Sequence, residues 1–226
     1  MHGGCAFDPA PGHNRYSRTM LPQTKKLWQK QDTHTGDRKR LFAAVRAVLG
    51  DIAVLYPGSY VDVAASFAFT EVTYVDMDRR ASQFFADADG VDEIIRSEGG
   101  SASAVARFIH ADYTADLGVG DEEFDLLVSL YAGFVSEACM RYLRVGGTLL
   151  VAPSHGDAAL ASIDGRYDLS GVVTARSGEY GVRTEGLDTY LIPKKSVAIT
   201  PALLHQQQRG IAYTKSPFAY LFTRTR

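Results

Sequence analysis

An α/β domain on a mainly parallel sheet, with helices on both faces, is predicted by three observations. Short apolar runs such as IAVLY and FDLLVS lack the alternation of a half-wet strand, so both of their faces are covered. These runs alternate with stretches of helical spacing from Ile52 to Ser154. The intervals between them are short, which fits right-handed crossovers between parallel strands. At 226 residues the chain is long enough for one such domain to bury its own core.

Residues 1–31 are polar and rich in Gly, Pro, His and Lys, and read as an N-terminal arm with a short helix near LPQTKKLWQK. Tyr16 and Trp28 are its candidate anchors to the body, residues 32–226. DTHTGDRKRLFAAVRAVLG reads as a helix with Leu41, Phe42, Val45, Val48 and Leu49 on one face. Asp32, Thr33 or Thr35 suits its start and Gly50 its end. The run of Arg38, Lys39 and Arg40 reads as a solvated face of that helix. IAVLY is the first strand and EVTYVDMD the second. RRASQFFADA and VDEIIRSEGG are helical, AVARFIHADY is the third strand and EFDLLVSLYA the fourth. GFVSEACMRYLRVGG reads as a helix with Val135, Cys139, Tyr142 and Leu143 on one side, stopped by glycines before the fifth strand, TLLVAPS. HGDAALASID is a short helix. A hairpin-rich insertion follows at about 165–195. ITPALLHQQQRG carries Thr200 as cap, Pro201 at the first helical position and Gly210 as stop. FAYLFTRT closes the chain as a strand, placed as an antiparallel edge added to a parallel sheet.

The formal net charge of -2 gives no reason to expect nucleic acid or an anionic membrane as partner. Two cysteines, Cys5 and Cys139, do not form a disulfide framework or a zinc site, and a reducing, cytoplasmic setting fits them. The six histidines show no metal-ligand spacing. No signal peptide and no apolar run approaching about 18 residues is visible. The expected partner is a small-molecule substrate, with the oligomeric state open.

The stretches VLYPGS, VTYVDMD, FIHADYTAD and FDLLVSLYA followed by YLRVGGTLLVAPS resemble, in order and spacing, the class I S-adenosylmethionine (SAM)-dependent methyltransferases. The resemblance covers Asp32 to the C-terminus. It implies a three-layer Rossmann-like sandwich with seven strands, the last antiparallel, and SAM as cofactor. The L-x-x-G-G of Leu143, Gly146 and Gly147 is similar to the family's turn from helix to fifth strand. One departure stands out. The loop PGSYVD holds a single glycine, and Tyr60 and Asp62 occupy the later glycine positions of the family's cofactor loop.

In an open parallel sheet, ligands bind beyond the carboxyl ends of the strands, where strand order reverses. The loop after the first strand, with Tyr56, Gly58 and Ser59, then faces the ligand, and Gly58 permits close backbone approach. Asp76, at the end of the second strand, is the candidate for both ribose hydroxyls, with Met77 beside it and Asp78 in reserve. The resemblance implies that Asp112 accepts a hydrogen bond from the adenine amino group, with His110 or Tyr113 stacking on the ring. The resemblance further implies ligand-facing groups after the fourth and fifth strands, with Ser129 expected at the cofactor and Tyr131 and Ser154 at the substrate. His155 is the candidate base, since an ordinary imidazole titrates at about 6.5. Tyr180, Tyr190, Arg176 and Arg183 are further candidates to shape the acceptor pocket. Adjacent Ser154 and His155 are not a nucleophilic pair, because no G-x-S-x-G elbow surrounds them. No metal is expected. Two other readings stay open: a methyltransferase-shaped ligand-binding protein without catalysis, and a nicotinamide-dependent oxidoreductase. The latter is weakened by the lack of G-x-G-x-x-G after the first strand.

Overall fold

The computed structural model describes residues 19–226, so Cys5 and Tyr16 lie outside the described residues. Among these residues eight strands form one sheet: β1 (Ala53–Pro57), β2 (Glu71–Asp76), β3 (Val105–His110), β4 (Phe124–Ser129), β5 (Leu143–Val151), β6 (Tyr167–Arg176), β7 (Glu179–Arg183) and β8 (Ala219–Arg224). Their order is β3-β2-β1-β4-β5-β8-β6-β7. The first five run parallel. β8 is antiparallel to both β5 and β6, and β7 is antiparallel to β6. The last strand thus inserts between β5 and β6 rather than lying at the rim. The 165–195 region supplies one strand beyond the seven expected: β6 and β7 form a hairpin whose two-residue turn, Ser177 and Gly178, has positive φ at both positions.

Among the described residues, seven helices accompany the sheet: α1 (Pro22–Gln31), α2 (Asp37–Leu49), α3 (Arg79–Phe85), α4 (Ala88–Ser97), α5 (Val135–Ala138), α6 (Asp157–Ile163) and α7 (Pro201–Gln207). Alternation along the central strand divides the core in two. Val54 and Tyr56 point to the face covered by α2, α3 and α4, together with Leu41, Phe42, Val45, Ala81, Phe84 and Ile94. Leu55 points to the other face, with Val135, Cys139, Ala158, Leu160 and Leu204 of the α5–α7 side. Each fully buried Leu, Val or Phe in these layers stabilises by roughly 1.5–3 kcal/mol. The result is a three-layer sandwich. Among the described residues no helix is long and apolar enough to cross a membrane.

The arm's helix α1 lies on α3 and α4. The Leu21 amide donates to Asp87 Oδ2 at 2.9 Å, and Trp28 meets Phe67 edge-on at 5.6 Å. Helix α2 ends at Gly50 as expected (φ 81°), but it starts at Asp37, because Gly36 takes a left-handed conformation and Asp32 Oδ1 accepts its amide. Val48 is 54% exposed, so it is not part of the core stripe. Helix α7 is capped by Thr200 as expected but ends two residues before Gly210, at Gln208, which turns left-handed itself.

Two corrections concern connections. Between β1 and β2 stands only a four-residue 3-10 helix, Ala64–Phe67, and the segment from β3 to β4 contains no helix. The helix expected over GFVSEACMRYLRVGG is one turn of α5 and a 3-10 turn, Met140–Tyr142. Leu143 already pairs with Phe124 across β4 and β5, so sheet pairing overrides helical spacing there. Gly146 and Gly147 therefore lie inside an irregular strand, not in a helix-to-strand turn. A side chain at Gly147 would meet Asp125 O at 3.0 Å and Leu143 Cδ1 at 2.7 Å.

Candidate functional site at the carboxyl edge

Strand order reverses between β1 and β4, so the crevice predicted by topology lies over the loops that follow them. The loop after β1 folds back onto β2. The Gly58 amide donates to Val75 O at 2.7 Å, and the Tyr60 amide donates to Asp76 Oδ2 at 2.7 Å. Asp76 Oδ1 accepts the Asp78 amide at 2.7 Å. Asp76 therefore sits beside the loop, as expected, with each carboxylate oxygen already holding one backbone donor. Tyr60 has φ 50°, the left-handed geometry a glycine would take easily, and its ring lies beneath Arg80. Asp78 caps α3 through the Arg80 amide and pairs with the Arg80 side chain. Those bonds hold its carboxyl low, at about 2.

The loop after β4 closes down on this one. At Gly58 (φ 64°) an added Cβ would stand 2.3 Å from Ala132 Cβ. Glycine is required there by both conformation and contact. Tyr131 (φ 66°) and Gly133 (φ 90°) turn left-handed on either side of Ala132. The Tyr113 hydroxyl donates to Ala132 O at 2.6 Å and fastens the turn. Two cavities flank this contact. One, of about 310 Å³, is lined by Tyr113, Thr114, Gly133, Phe134, Glu137 and His155, among others. The other, of about 360 Å³, is lined by Asp32, His34, Asp37, Arg38, Tyr131 and Phe218, with Gln31.

The expected site residues are thus only partly gathered. Gly58, Asp76 and Met77 stand together at the ends of β1 and β2, and Met77 is 68% exposed. Asp112 is in the loop that leads to Tyr113. The Thr114 amide and hydroxyl both bond its Oδ1 and hold its carboxyl below the usual range. His110 bonds Met77 O through Nε2 at 3.1 Å. His155 shares the smaller cavity with Tyr113, in a left-handed conformation. Ser154 Oγ is buried without a hydrogen-bond partner among the described residues, as is Ser59 Oγ.

Two expected ligand contacts are engaged inside the protein instead. The Tyr56 ring faces the α2 side of the core, and its hydroxyl donates to Asp62 Oδ2 at 3.0 Å. The Ser129 hydroxyl donates to Asp157 Oδ2 at 2.5 Å. Asp157 also accepts the Ser136 amide and hydroxyl, so it caps α5 from the start of α6. Burial pushes its carboxyl up to about 6 against the pull of these donors. Tyr180 reaches Asp37 with its hydroxyl at 2.8 Å, while Tyr190 lies under Lys215. Arg176 and Arg183 both belong to the β6–β7 hairpin, where they pair with Glu179 and Val172.

The sequence reading puts Arg38 on a solvated face and takes Asp62 only as a departure in the loop, whereas the structure pairs them. Asp62 is 2% exposed, accepts the Ala64 amide and the Tyr56 hydroxyl, and lies 3.5 Å from Arg38 Nε. Burial raises its carboxyl, and Arg38 opposes that rise. The signal was present. Arg38 precedes Leu41, Phe42 and Val45 by three, four and seven positions, which is the core stripe of α2, not its solvated face.

No family model and no curated protein matches the chain. Solved structures do. A SAM-dependent methyltransferase from Methanococcus maripaludis aligns at 14% identity and TM-score 0.43, covering 57% of this chain and 61% of that one. The YcgJ protein of Bacillus subtilis aligns at 19% and 0.38, covering 55% and 54%. The chain thus spans less than two thirds of either. The O-methyltransferase TomG of Streptomyces achromogenes, involved in tomaymycin synthesis and solved with SAM, aligns at 10% and 0.45, covering 91% of each. At such values neither activity nor ligand transfers.

Proposed function

We propose that this chain binds SAM across the carboxyl ends of β1, β2 and β4 and transfers its methyl group to a small-molecule acceptor. The observation that carries the reading is the strand order. It reverses between β1 and β4, and the β1 loop at that point holds Gly58 on Val75 O and the Tyr60 amide on the carboxylate of Asp76, at the end of the neighbouring β2. When bound, SAM supplies an electrophilic methyl carbon, so the protein has only to hold, orient and keep dry.

The donor set fits. A carboxylate has about four acceptor positions, and the backbone uses one on each oxygen of Asp76, leaving capacity for two ribose hydroxyls. Asp112 has its second oxygen for an exocyclic amine, and exposed Met77 offers an apolar contact to a base. His155, in the neutral form, accepts a proton from the acceptor's nucleophile. Space is restricted at one point, where Ala132 rests on Gly58. On this proposal the turn of Tyr131, Ala132 and Gly133 shifts when the ligand enters beside the two flanking cavities.

The same contact favours a second reading, a ligand-binding protein of methyltransferase shape in which the turn stays closed. Calorimetric titration with SAM and S-adenosylhomocysteine separates the two. Methyl transfer predicts saturable binding, weakened more than about tenfold, or about 1.4 kcal/mol, in Asp76→Ala with the fold intact. An unchanged dissociation constant removes Asp76 from the site. No binding by a folded wild type leaves the second reading.

A further inference from the structure

We infer that the cavity between the α1–α2 connection, Tyr131 and Phe218 is a binding site for the carboxylate of a small organic acid, with Arg38 as its anchor. Four observations converge. Arg38 lines the cavity, yet its Nη1 is buried with no hydrogen-bond partner among the described residues. A buried, unsatisfied cationic donor is costly, and such a donor is satisfied by a ligand acceptor. Its ion-pair partner among the described residues, Asp62, stands 3.5 Å from Nε and is itself bonded by Tyr56 and the Ala64 amide. The planar guanidinium matches a carboxylate with two parallel bonds.

The second observation is aromatic. The Arg38 guanidinium carbon lies 5.2 Å from the centre of the Tyr131 ring, and that ring is half exposed. Phe218 lines the same cavity. The site therefore offers a charge and an apolar wall together, the usual makeup of a small-molecule pocket. At about 360 Å³ it is at the small end of the range for such pockets.

The third and fourth observations set the charge. Asp37 accepts the Tyr180 hydroxyl and pairs with Arg40, and Asp32 accepts the Gly36 amide. Neither acid makes an ion pair with Arg38 at bonding distance, although the charge of Asp37 still acts on it. Both remain close enough to repel a multiply charged anion, so a single carboxylate suits the cavity better than a phosphate dianion. The occupant's identity as methyl acceptor rests on the function proposed above; the carboxylate site does not. The carboxylate of a separate acid and that of SAM's own amino-acid end share this chemistry.

Benzoate, benzamide and benzylamine serve as probes, titrated calorimetrically into the full chain. Benzoate is expected to bind saturably, and its neutral isostere benzamide at least about tenfold more weakly. Arg38→Met should lose about tenfold for benzoate and leave benzamide unchanged. Because Arg38→Met leaves Asp62 buried beside no cation, Tyr131→Ala provides an independent arm, with weakening expected for both ring probes. Equal binding of benzoate and benzamide, preference for benzylamine, or no saturable benzoate binding would overturn the inference. Titration of S-adenosylhomocysteine against the benzoate complex identifies the source. Competition assigns the site to the cofactor's carboxylate, and additive binding to a separate acid. Benzoate binding without any S-adenosylhomocysteine binding keeps this site and removes methyl transfer.

Discussion

Two buried aspartates, Asp62 and Asp157, stand at the carboxyl edge of the sheet on opposite faces, and they are solved differently. Asp157 is 1% exposed and surrounded by neutral donors: two serine hydroxyls and the Ser136 amide. No cation is among them. Its oxygens are filled by groups that have no other task, and the network ties β4, α5 and α6 into one corner. Asp62 is 2% exposed and has one hydroxyl, one amide and a cation at ion-pair distance. That cation keeps an unused donor. The difference teaches how to separate a structural buried acid from one that belongs to a binding region. A saturated network holds the fold, whereas a network with a charged partner left unsatisfied has room for a further molecule.

The comparison breaks most easily at Asp62. Asp62→Ala leaves the half-buried Arg38 without its counter-ion and should cost about 3–5 kcal/mol in urea unfolding. A loss below about 1 kcal/mol would mean that the pair is solvated and that the contrast with Asp157 is false. Next in size is a pH effect. Burial raises the folded-state carboxyl of Asp157 to about 6 from an ordinary 3.8. A group raised on folding stabilises fully below its unfolded value, and that contribution is lost as pH climbs through the folded one. Wild type should therefore lose about 2 kcal/mol relative to Asp157→Asn between pH 4 and pH 7. The stability difference between the two proteins, followed across that window, reads it directly. A flat difference would show that the serine donors fully offset burial. The smallest effect sharpens the picture at the loop. Ser59→Ala removes a buried hydroxyl that has no partner, so stability should stay within about 0.5 kcal/mol or rise. If the variant is nevertheless poorer at binding S-adenosylhomocysteine, the hydroxyl belongs to the ligand.

Much of this architecture was legible along the chain. The apolar runs located five parallel strands, the turn Ser177-Gly178 lay in a stretch read as hairpins, and Thr200 and Gly50 marked helix ends. Helical spacing misled at 133–147, where Val135, Cys139 and Tyr142 do fall on one buried side but Leu143 is claimed by Phe124 of the neighbouring strand. The site was legible only in part. Asp76 and Gly58 are adjacent as their places in the strand order require. Tyr56 and Ser129 were expected to reach a ligand and instead serve two aspartates, because a strand's alternation decides which side chains face the core.

What the sequence by itself determined is the set of local periods: which segments become strands, which become helices, and that an acid and a glycine end the first two strands. Those follow from short-range spacing and from backbone freedom at single residues. Only the tertiary structure decided that β8 enters between β5 and β6, that Ala132 seats on Gly58, and that Arg38, placed on the core stripe of α2 by its spacing, takes Asp62 as its partner. Each of these joins residues far apart along the chain, and their pairing is fixed by burial and charge balance in three dimensions, which no local pattern encodes.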